Sequence, residues 1–330
     1  MSDSAIKDPP HASASPAQAE PLARKALPCV LAILFVLGLT AAVWGHRAIR
    51  ASTAPRPIPQ DPQCIVTLAP SVTETAFAVG LGPKIRGVTT YCRYPPAVLD
   101  IPKVAGFSDI NVEAILRLRP DLVITPVDKK ETQGELERLG LTVMPMDTRS
   151  LSGLREAIRD LGYATGHRAD ADRILGDFDA AVAFARRNAL GKPRPRVLFS
   201  VMHSYAGLGY ISQLTIAGQD GFFSELLEIC GGVNAYEGAL PFPTLSREAI
   251  MKLNPDVIID LMRDEAEGRE AAEGWKSLSN VAAIRDGRLY IFTDEADTVP
   301  GPRAYLTIRK IAAAIHPVGG ETAALSAEGL

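Results

Sequence analysis

A fourteen-residue stretch occurs in two versions in this chain. Residues 111–124 read NVEAILRLRPDLVI, and residues 246–259, which begin 135 positions later, read SREAIMKLNPDVII. Seven of the fourteen positions are identical. The separation is too long for a solenoid, whose repeats run about 20–50 residues, but it suits one lobe of a two-lobed protein. We therefore expect two similar halves.

Both copies predict the same local structure. Asn111 and Ser246 are suited to cap a helix, and Glu113 and Glu248 follow in the first turn, where the helix dipole favours negative charge. A proline then ends the helix, because the residue before a proline is disfavoured in the helical conformation. The apolar run after the following aspartate is typical of a buried strand. Each copy thus predicts a helix, a tight turn and a parallel strand.

The pattern along the rest of the chain predicts alternating strands and helices, which form a parallel sheet covered on both faces. The predicted fold class is α/β, with two Rossmann-like lobes bridged by one long helix. The predicted segments are a disordered N-terminus (1–25), a transmembrane anchor or signal segment (26–45), a linker (46–62), an N-terminal lobe (63–165), a bridging helix (166–192), a C-terminal lobe (193–317) and a tail (318–330).

The apolar segment 26–45 carries no charged side chain and is long enough, as a helix, to cross the roughly 30 Å of a bilayer. A cleaved signal peptide is the alternative, with small residues at 51–54 as its cleavage site. The 25-residue leader and the arginines that follow the segment favour an uncleaved anchor. Cys29 lies at the start of the apolar run, which argues against lipoprotein processing.

Composition excludes several functions. The formal net charge is −3 and no basic stripe appears, so nucleic acid is not an expected partner. The four cysteines have no metal-knuckle or disulfide-framework spacing. No nucleophile–base pair, phosphate loop or metalloenzyme motif is present. The chain is predicted to be a binder with no resident cofactor, not an enzyme.

Several motifs outside the repeat carry a resemblance: IVTLAPSVTE at 65–74, GVTTY at 87–91, YPP at 94–96, CGGVN at 230–234 and PTLSRE at 243–248. Over residues 63–317 the chain resembles the helical-backbone substrate-binding proteins of ABC importers, the family that carries cobalamin, haem and ferric siderophores. The resemblance implies two lobes joined by a long helix, a chelate held in the cleft between them, and delivery to a dimeric ABC permease by a monomeric soluble part.

The same resemblance assigns roles to the repeat. In the family, a glutamate on each lobe docks against permease arginines, and by motif these glutamates are Glu113 and Glu248. Two matched acids suit two like subunits of a permease. The alternative is that each is only a favourable charge at a helix start.

Candidate ligand-binding residues lie in loops at strand ends, where open α/β sheets place ligands. By resemblance, the three aromatic candidates match positions that line the cobalamin site; core packing is their alternative. A family tryptophan position is Pro126 here, and Phe107 and Phe242 also replace tryptophans, which leaves smaller corrinoids or another chelate open. The loop candidates are Pro70, Ser71, Tyr91, Cys92, Phe107 and Phe242.

Four further residues have competing interpretations. His203, placed just past a strand at 197–202, could be an axial metal ligand or a hydrogen-bonded loop histidine. Arg303 could bind a ligand carboxylate or cap loop carbonyls. Glu74, three residues after Ser71, is predicted to complete a capping box. Cys230 matches a disulfide-bonded cysteine of the family, but residues 304–315 contain no partner, so a buried free thiol is expected.

The predicted function is an extracytoplasmic, membrane-tethered or periplasmic substrate-binding component of an ABC importer, carrying a corrinoid or an iron chelate. Ferric siderophore or haem binding is the alternative cargo. A membrane-tethered sensor module with the same fold is the alternative role, although the first 25 residues are too short to form a signalling domain.

Overall fold

A computed structural model describes residues 56–106, 109–206, 210–219 and 221–317. The predicted disordered N-terminus, the apolar segment 26–45, Phe107 and the tail 318–330 lie outside the described residues. Of the helices inside these ranges, none combines the length and the apolar composition needed to cross a bilayer.

The first lobe (residues 56–164) is a five-stranded, fully parallel sheet with strand order β3-β2-β1-β4-β5. The central strand β1 is buried, and helices cover the sheet on both faces. Its elements are β1 (Ile65–Thr67), α1 (Pro70–Ala78), β2 (Ile85–Thr89), β3 (Lys103–Ala105), α2 (Val112–Leu118), β4 (Leu122–Pro126), α3 (Lys130–Arg138), β5 (Val143–Met146) and α4 (Leu151–Ala164), with short 3-10 turns at Gly82–Lys84 and Pro96–Asp100.

The long helix α5 (Arg168–Ala189) connects the lobes and packs against α4 on one side and the last helix of the second lobe on the other. Its buried residues recur at steps of three or four, so one apolar stripe faces the core. This stripe consists of Ala171, Ile174, Leu175, Phe178, Ala181 and Ala185.

The second lobe (residues 196–317) has a mixed sheet with strand order β11-β10-β6-β7-β9, and β8 pairs with the start of β6. β6, β10 and β11 are parallel, whereas β7 is antiparallel to β6 and to β9. Its elements are β6 (Arg196–Ala206), β7 (Tyr210–Ile216), α6 (Phe222–Ile229), β8 (Val233–Asn234), β9 (Thr244–Ser246), α7 (Arg247–Leu253), β10 (Val257–Leu261), α8 (Glu265–Lys276), α9 (Ala282–Arg285), β11 (Leu289–Phe292), α10 (Glu295–Thr298) and α11 (Ala304–Ile315).

One apolar core extends through both lobes and α5. It joins Ile65 and Ile124 of the first sheet to Phe199 and Ile259 of the second through Phe178 of the helix. The described residues accordingly form a single compact unit. A shared core of this kind favours small relative movements of the lobes over wide opening.

The repeated stretch has the same structure in both lobes. Asn111 and Ser246 each cap their helix by accepting a hydrogen bond from a backbone N–H three residues on. Each helix, α2 or α7, ends on a left-handed residue, Arg119 or Asn254, and leads into a buried strand. That strand, β4 or β10, pairs in parallel with the first strand of its own lobe.

The aspartate of each copy stabilises the pairing between this strand and the first strand of its lobe. The Asp121 carboxylate accepts hydrogen bonds from the backbone N–H groups of Gln63 (2.6 Å) and Cys64 (3.1 Å), just before β1. The Asp256 carboxylate accepts from the N–H of Arg196, the first residue of β6, at 2.8 Å. The Pro-Asp pair is thus a device that holds the starts of two neighbouring strands in register.

Two predictions of local structure are wrong. Ser71 is not a cap: α1 begins at Pro70 with Ala69 as its cap residue, so Ser71 and Glu74 form no capping box. Residues 56–62, predicted to belong to an extended linker, lie against the first lobe, where Ile58 packs on the core and Asp61 pairs with Lys84.

Candidate functional site

The carboxyl edges of the two sheets face each other across two inter-lobe contacts. At one end, Glu74 in the middle of α1 pairs with Arg303, which precedes α11. At the other end, the Glu225 carboxylate of α6 accepts a hydrogen bond from the N–H of Leu151, the first residue of α4, at 2.7 Å. We call the space between these edges the cleft. Parallel α/β sheets place ligands at such edges.

Two exposed aromatic residues lie on loops that adjoin the sheets, one in each lobe. Tyr91 follows β2 and is 53% exposed, and Phe242 precedes β9 and is 52% exposed. Neither belongs to the core, so the core-packing alternative is wrong for both. Large exposed aromatic side chains offer apolar area and ring faces to a ligand.

The remaining first-lobe candidates are less accessible. Pro70 is half-buried at the first position of α1, and Ser71 is buried beside it. Cys92 is buried, with its sulfur 3.1 Å from the hydroxyl oxygens of both Thr73 and Thr89. This burial argues against Cys92 as a ligand of a metal in the cleft.

His203 belongs to a buried polar group of the second lobe. It lies within β6, not past it, and only 3% of its side chain is exposed. Its Nε2 is 2.8 Å from the fully buried Asp260 carboxylate, which also accepts a hydrogen bond from Trp275 Nε1 at 2.6 Å. The histidine and tryptophan rings meet edge to face, 5.9 Å between centroids. The arrangement argues against His203 as an axial ligand and explains it as part of a satisfied internal network.

Arg303 binds a protein carboxylate across the lobes. Its Nε and Nη2 each donate a 2.9 Å hydrogen bond to Glu74, forming a bidentate pair. The guanidinium also lies over the Tyr94 ring, 3.7 Å from its centroid. Burial raises the pKa of Glu74, and the Arg303 guanidinium opposes this rise. The arrangement argues against Arg303 as a ligand-carboxylate site, because its planar donor face is already occupied.

A pocket of about 270 Å³ lies beside this pair. Phe77 of α1, Ile174 of α5 and Tyr305 of α11 form apolar walls, and Arg173 and Asp177 form part of its rim. Of the predicted site residues only Arg303 lines it. Tyr94 was marked in the sequence only as part of the YPP motif. Its contact with Arg303 and the pairing of Glu74 with Arg303 had no sequence signal, because the partners come from distant parts of the chain.

The predicted docking acids are both exposed at the first turns of α2 and α7. The Glu113 side chain is 84% exposed and contacts Arg117, one turn later, at 3.3 Å. Hydrogen bonds from its own backbone N–H and from Ser246 hold the pKa of Glu248 below its usual range. Both side chains therefore present a carboxylate to solvent on matched elements of the two lobes.

In the described part of the chain, no group of three or more His, Cys, Asp or Glu side chains is placed so that it could hold a metal ion. Cys230 is free and buried, as predicted, and burial raises the pKa of its thiol. Its sulfur lies 3.4 Å from the Ile308 carbonyl oxygen of α11.

The sequence of this chain matches a known protein family. The family model described as "Periplasmic binding protein" matches residues 65–296. The chain belongs to the periplasmic binding protein family. This confirms the resemblance to substrate-binding proteins that the sequence motifs indicated. Since the relatives are substrate-binding transport proteins, it also confirms the prediction that the chain is not an enzyme.

Individual relatives agree with this assignment. An uncharacterized ABC transporter substrate-binding lipoprotein, YvrC of Bacillus subtilis, is 30% identical over 267 residues, covering 79% of this chain and 82% of the relative. The periplasmic vitamin B12-binding protein BtuF of Vibrio cholerae superposes with a TM-score of 0.66 at 25% identity, covering 77% of this chain and 96% of that one. The periplasmic haem-binding protein RhuT of Roseiflexus sp. RS-1, in its apo form, superposes with a TM-score of 0.64 at 26% identity, covering 77% and 98%.

Proposed function

We propose that this protein is the extracytoplasmic substrate-binding component of an ABC importer that carries a corrinoid or an iron chelate. The observation that carries the proposal is the pair of exposed aromatic residues, Tyr91 and Phe242, on loops that adjoin the sheets of the two lobes. A flat macrocycle or chelate offers apolar area to both. The names of the relatives, which include vitamin B12 and haem binders, support the same ligand class.

In this role the chain has no resident cofactor, and any cobalt or iron arrives inside the ligand as cargo. The protein acts as a monomer that meets a dimeric permease through Glu113 and Glu248. The shared core and the Glu74–Arg303 pair support a cleft that changes little when the ligand enters, because both lobes are already held together.

The proposal is tested by calorimetric titration of the full chain in detergent with cobalamin, cobinamide, haem and a ferric siderophore. At least one is expected to bind with a negative heat-capacity change, as burial of apolar surface requires. Replacing Tyr91 or Phe242 with alanine should weaken that binding about tenfold. Tyr163→Ala, at a 40%-exposed tyrosine of α4, is the matched control and should leave the affinity unchanged. No binding of any of the four ligands would refute the proposal.

We also propose that residues 26–45 remain as an inner-membrane anchor. The supporting features are the uncharged twenty-residue run and the arginines that follow it. Intact mass of the protein extracted from membranes should equal that of the full chain. A mass corresponding to removal of the first fifty or so residues would show a cleaved signal peptide instead.

A further inference from the structure

The hairpin β6–β7 extends beyond the carboxyl edge of the parallel strands in the second lobe. The last residue of β6 that pairs with β10 is Ser200, whereas β6 continues to Ala206 and pairs there only with β7. β9 adds a third strand on the far side of β7. These three strands therefore project past the carboxyl end of β10, the neighbouring parallel strand.

One face of this projection belongs to the core. Leu214 is buried, and its register partners, His203 on β6 and Leu245 on β9, point to the same side. On this side, the Trp275 ring packs against His203, and the Asp260 carboxylate is hydrogen-bonded to it. The back of the projection is thus fixed by a satisfied polar network, which makes the opposite face a rigid surface.

The opposite face is open and has no ionisable side chain among its six residues. Cross-strand partners share a face, so the register defines two rows. Thr215 and Thr244 have hydroxyl oxygens 3.2 Å apart, and Met202 beside them is 62% exposed. The rows are Met202–Thr215–Thr244 and Ser204–Gln213–Ser246. We call these six residues the neutral wall.

The segment that follows β7 approaches the first lobe. Just past β7, a Cβ at Gly221 would lie 2.7 Å from the carbonyl oxygen of Arg149 in the first lobe. The Arg149 guanidinium is itself bound to both carboxylate oxygens of Asp147, at 2.9 and 2.7 Å, so its charge is compensated.

Such a surface discriminates between ligand rims. Hydroxyl groups and the glutamine amide both donate and accept hydrogen bonds, as a primary carboxamide does. A carboxylate buried against the same groups loses hydration and gains no opposite charge, which is unfavourable. The Met202 thioether adds a polarisable apolar contact suited to a macrocycle edge.

Resting on the proposed function, we infer that the neutral wall binds the uncharged carboxamides on the rim of a corrinoid, and that it disfavours chelates whose rim carries carboxylates. The wall thereby selects corrinoids over haem-like ligands. Thr215, Thr244 and Gln213 supply the donors and acceptors, and Met202 contacts the ring edge.

The test compares two ligands that share one macrocycle and one metal. Cobinamide carries carboxamides, whereas cobyrinic acid carries carboxylates at the same positions. Calorimetric titration of the full chain should show cobinamide binding at least about tenfold more tightly than cobyrinic acid, the difference expected from one or two unmatched polar contacts. Equal or tighter binding of cobyrinic acid overturns the inference.

Two variants locate the effect. Thr215→Val combined with Thr244→Val keeps the side-chain shape and should weaken cobinamide roughly tenfold while leaving cobyrinic acid unchanged. Gln213→Lys introduces a cation and should shift the preference at least about tenfold towards cobyrinic acid. Gln60→Lys, at an exposed glutamine elsewhere in the chain, is the charge-matched control and should shift nothing. Circular dichroism and thermal unfolding confirm that each variant is folded.

The outcomes separate this inference from the proposed function. Affinities for the corrinoid pair that are unchanged in both variants overturn the inference. Binding of haem or a ferric siderophore, but of neither corrinoid, also overturns it and leaves the chelate-carrier proposal standing. If none of these ligands binds, both this inference and the proposed function are refuted.

Discussion

Replacing Arg303 with methionine is expected to lower the free energy of unfolding by about 3–5 kcal/mol near neutral pH. The substitution removes the partner of Glu74, a residue that is only 4% exposed, and leaves a buried carboxylate without its bidentate hydrogen bonds. It also removes the guanidinium from the Tyr94 ring. Methionine fills much of the same volume, so the loss reflects charge more than a cavity.

The deficit should depend on pH in a defined direction. Burial raises the pKa of Glu74 above its ordinary value of 4.5, and Arg303 opposes that rise. Without Arg303 the folded-state pKa rises further, so the folded variant keeps a proton that the unfolded chain releases above about pH 4.5. Stability of the variant therefore falls as pH rises from this value, and the deficit relative to the unmodified protein is larger at about pH 8 than at about pH 5.

Guanidinium unfolding, followed by tryptophan fluorescence at the two pH values, measures both effects. The double variant Glu74→Gln, Arg303→Met removes the charge and should recover most of the loss at the higher pH. Arg173→Met is the matched control: its side chain is 59% exposed on the rim of the same pocket, and it should cost less than about 0.5 kcal/mol. An Arg303→Met deficit equal at both pH values, or unrelieved in the double variant, would show that the buried carboxylate is not its cause.

Glu74 also shows where local sequence rules stop. A serine followed three residues later by glutamate matches a capping box, yet the glutamate turns to an arginine 229 positions away. The choice is made by tertiary contact, which no local pattern contains. The repeated stretch is the opposite case: its cap, left-handed stop and buried strand all depend on near neighbours, and helix and strand appear in both lobes as predicted.

The candidate site was only partly predictable for the same reason. Tyr91 and Phe242 could be proposed because loops at strand ends are recognisable in the sequence, and the structure exposes both. The environment of His203 could not be predicted. It depends on how far β6 extends beyond its parallel neighbour, and on contacts with Asp260 and Trp275, which come from later elements. The neutral wall likewise follows from strand register, since six separate residues share a face only once three strands are paired.

Replacing both Glu113 and Glu248 with alanine is expected to abolish ligand uptake while leaving ligand affinity unchanged. Each acid is exposed in the first turn of a matched helix, one in each lobe. Both helices start after the carboxyl end of a strand, so we expect the two carboxylates to mark opposite rims of the cleft. A permease with two like cationic subunits can engage both rims at once, and carboxylate–arginine contacts supply orientation and a faster encounter.

Uptake is measured in cells of the native host that carry the variant in place of the chromosomal gene, and affinity by titration of the purified full chain. Glu131→Ala with Glu265→Ala is the matched control, since these acids occupy the first turns of α3 and α8 and remove the same helix-start charges. This control should lose a similar small amount of stability and retain uptake. Each single docking variant should retain partial uptake, because one rim stays engaged. Normal uptake by the double variant, or equal loss in the control, would assign Glu113 and Glu248 to helix stability alone.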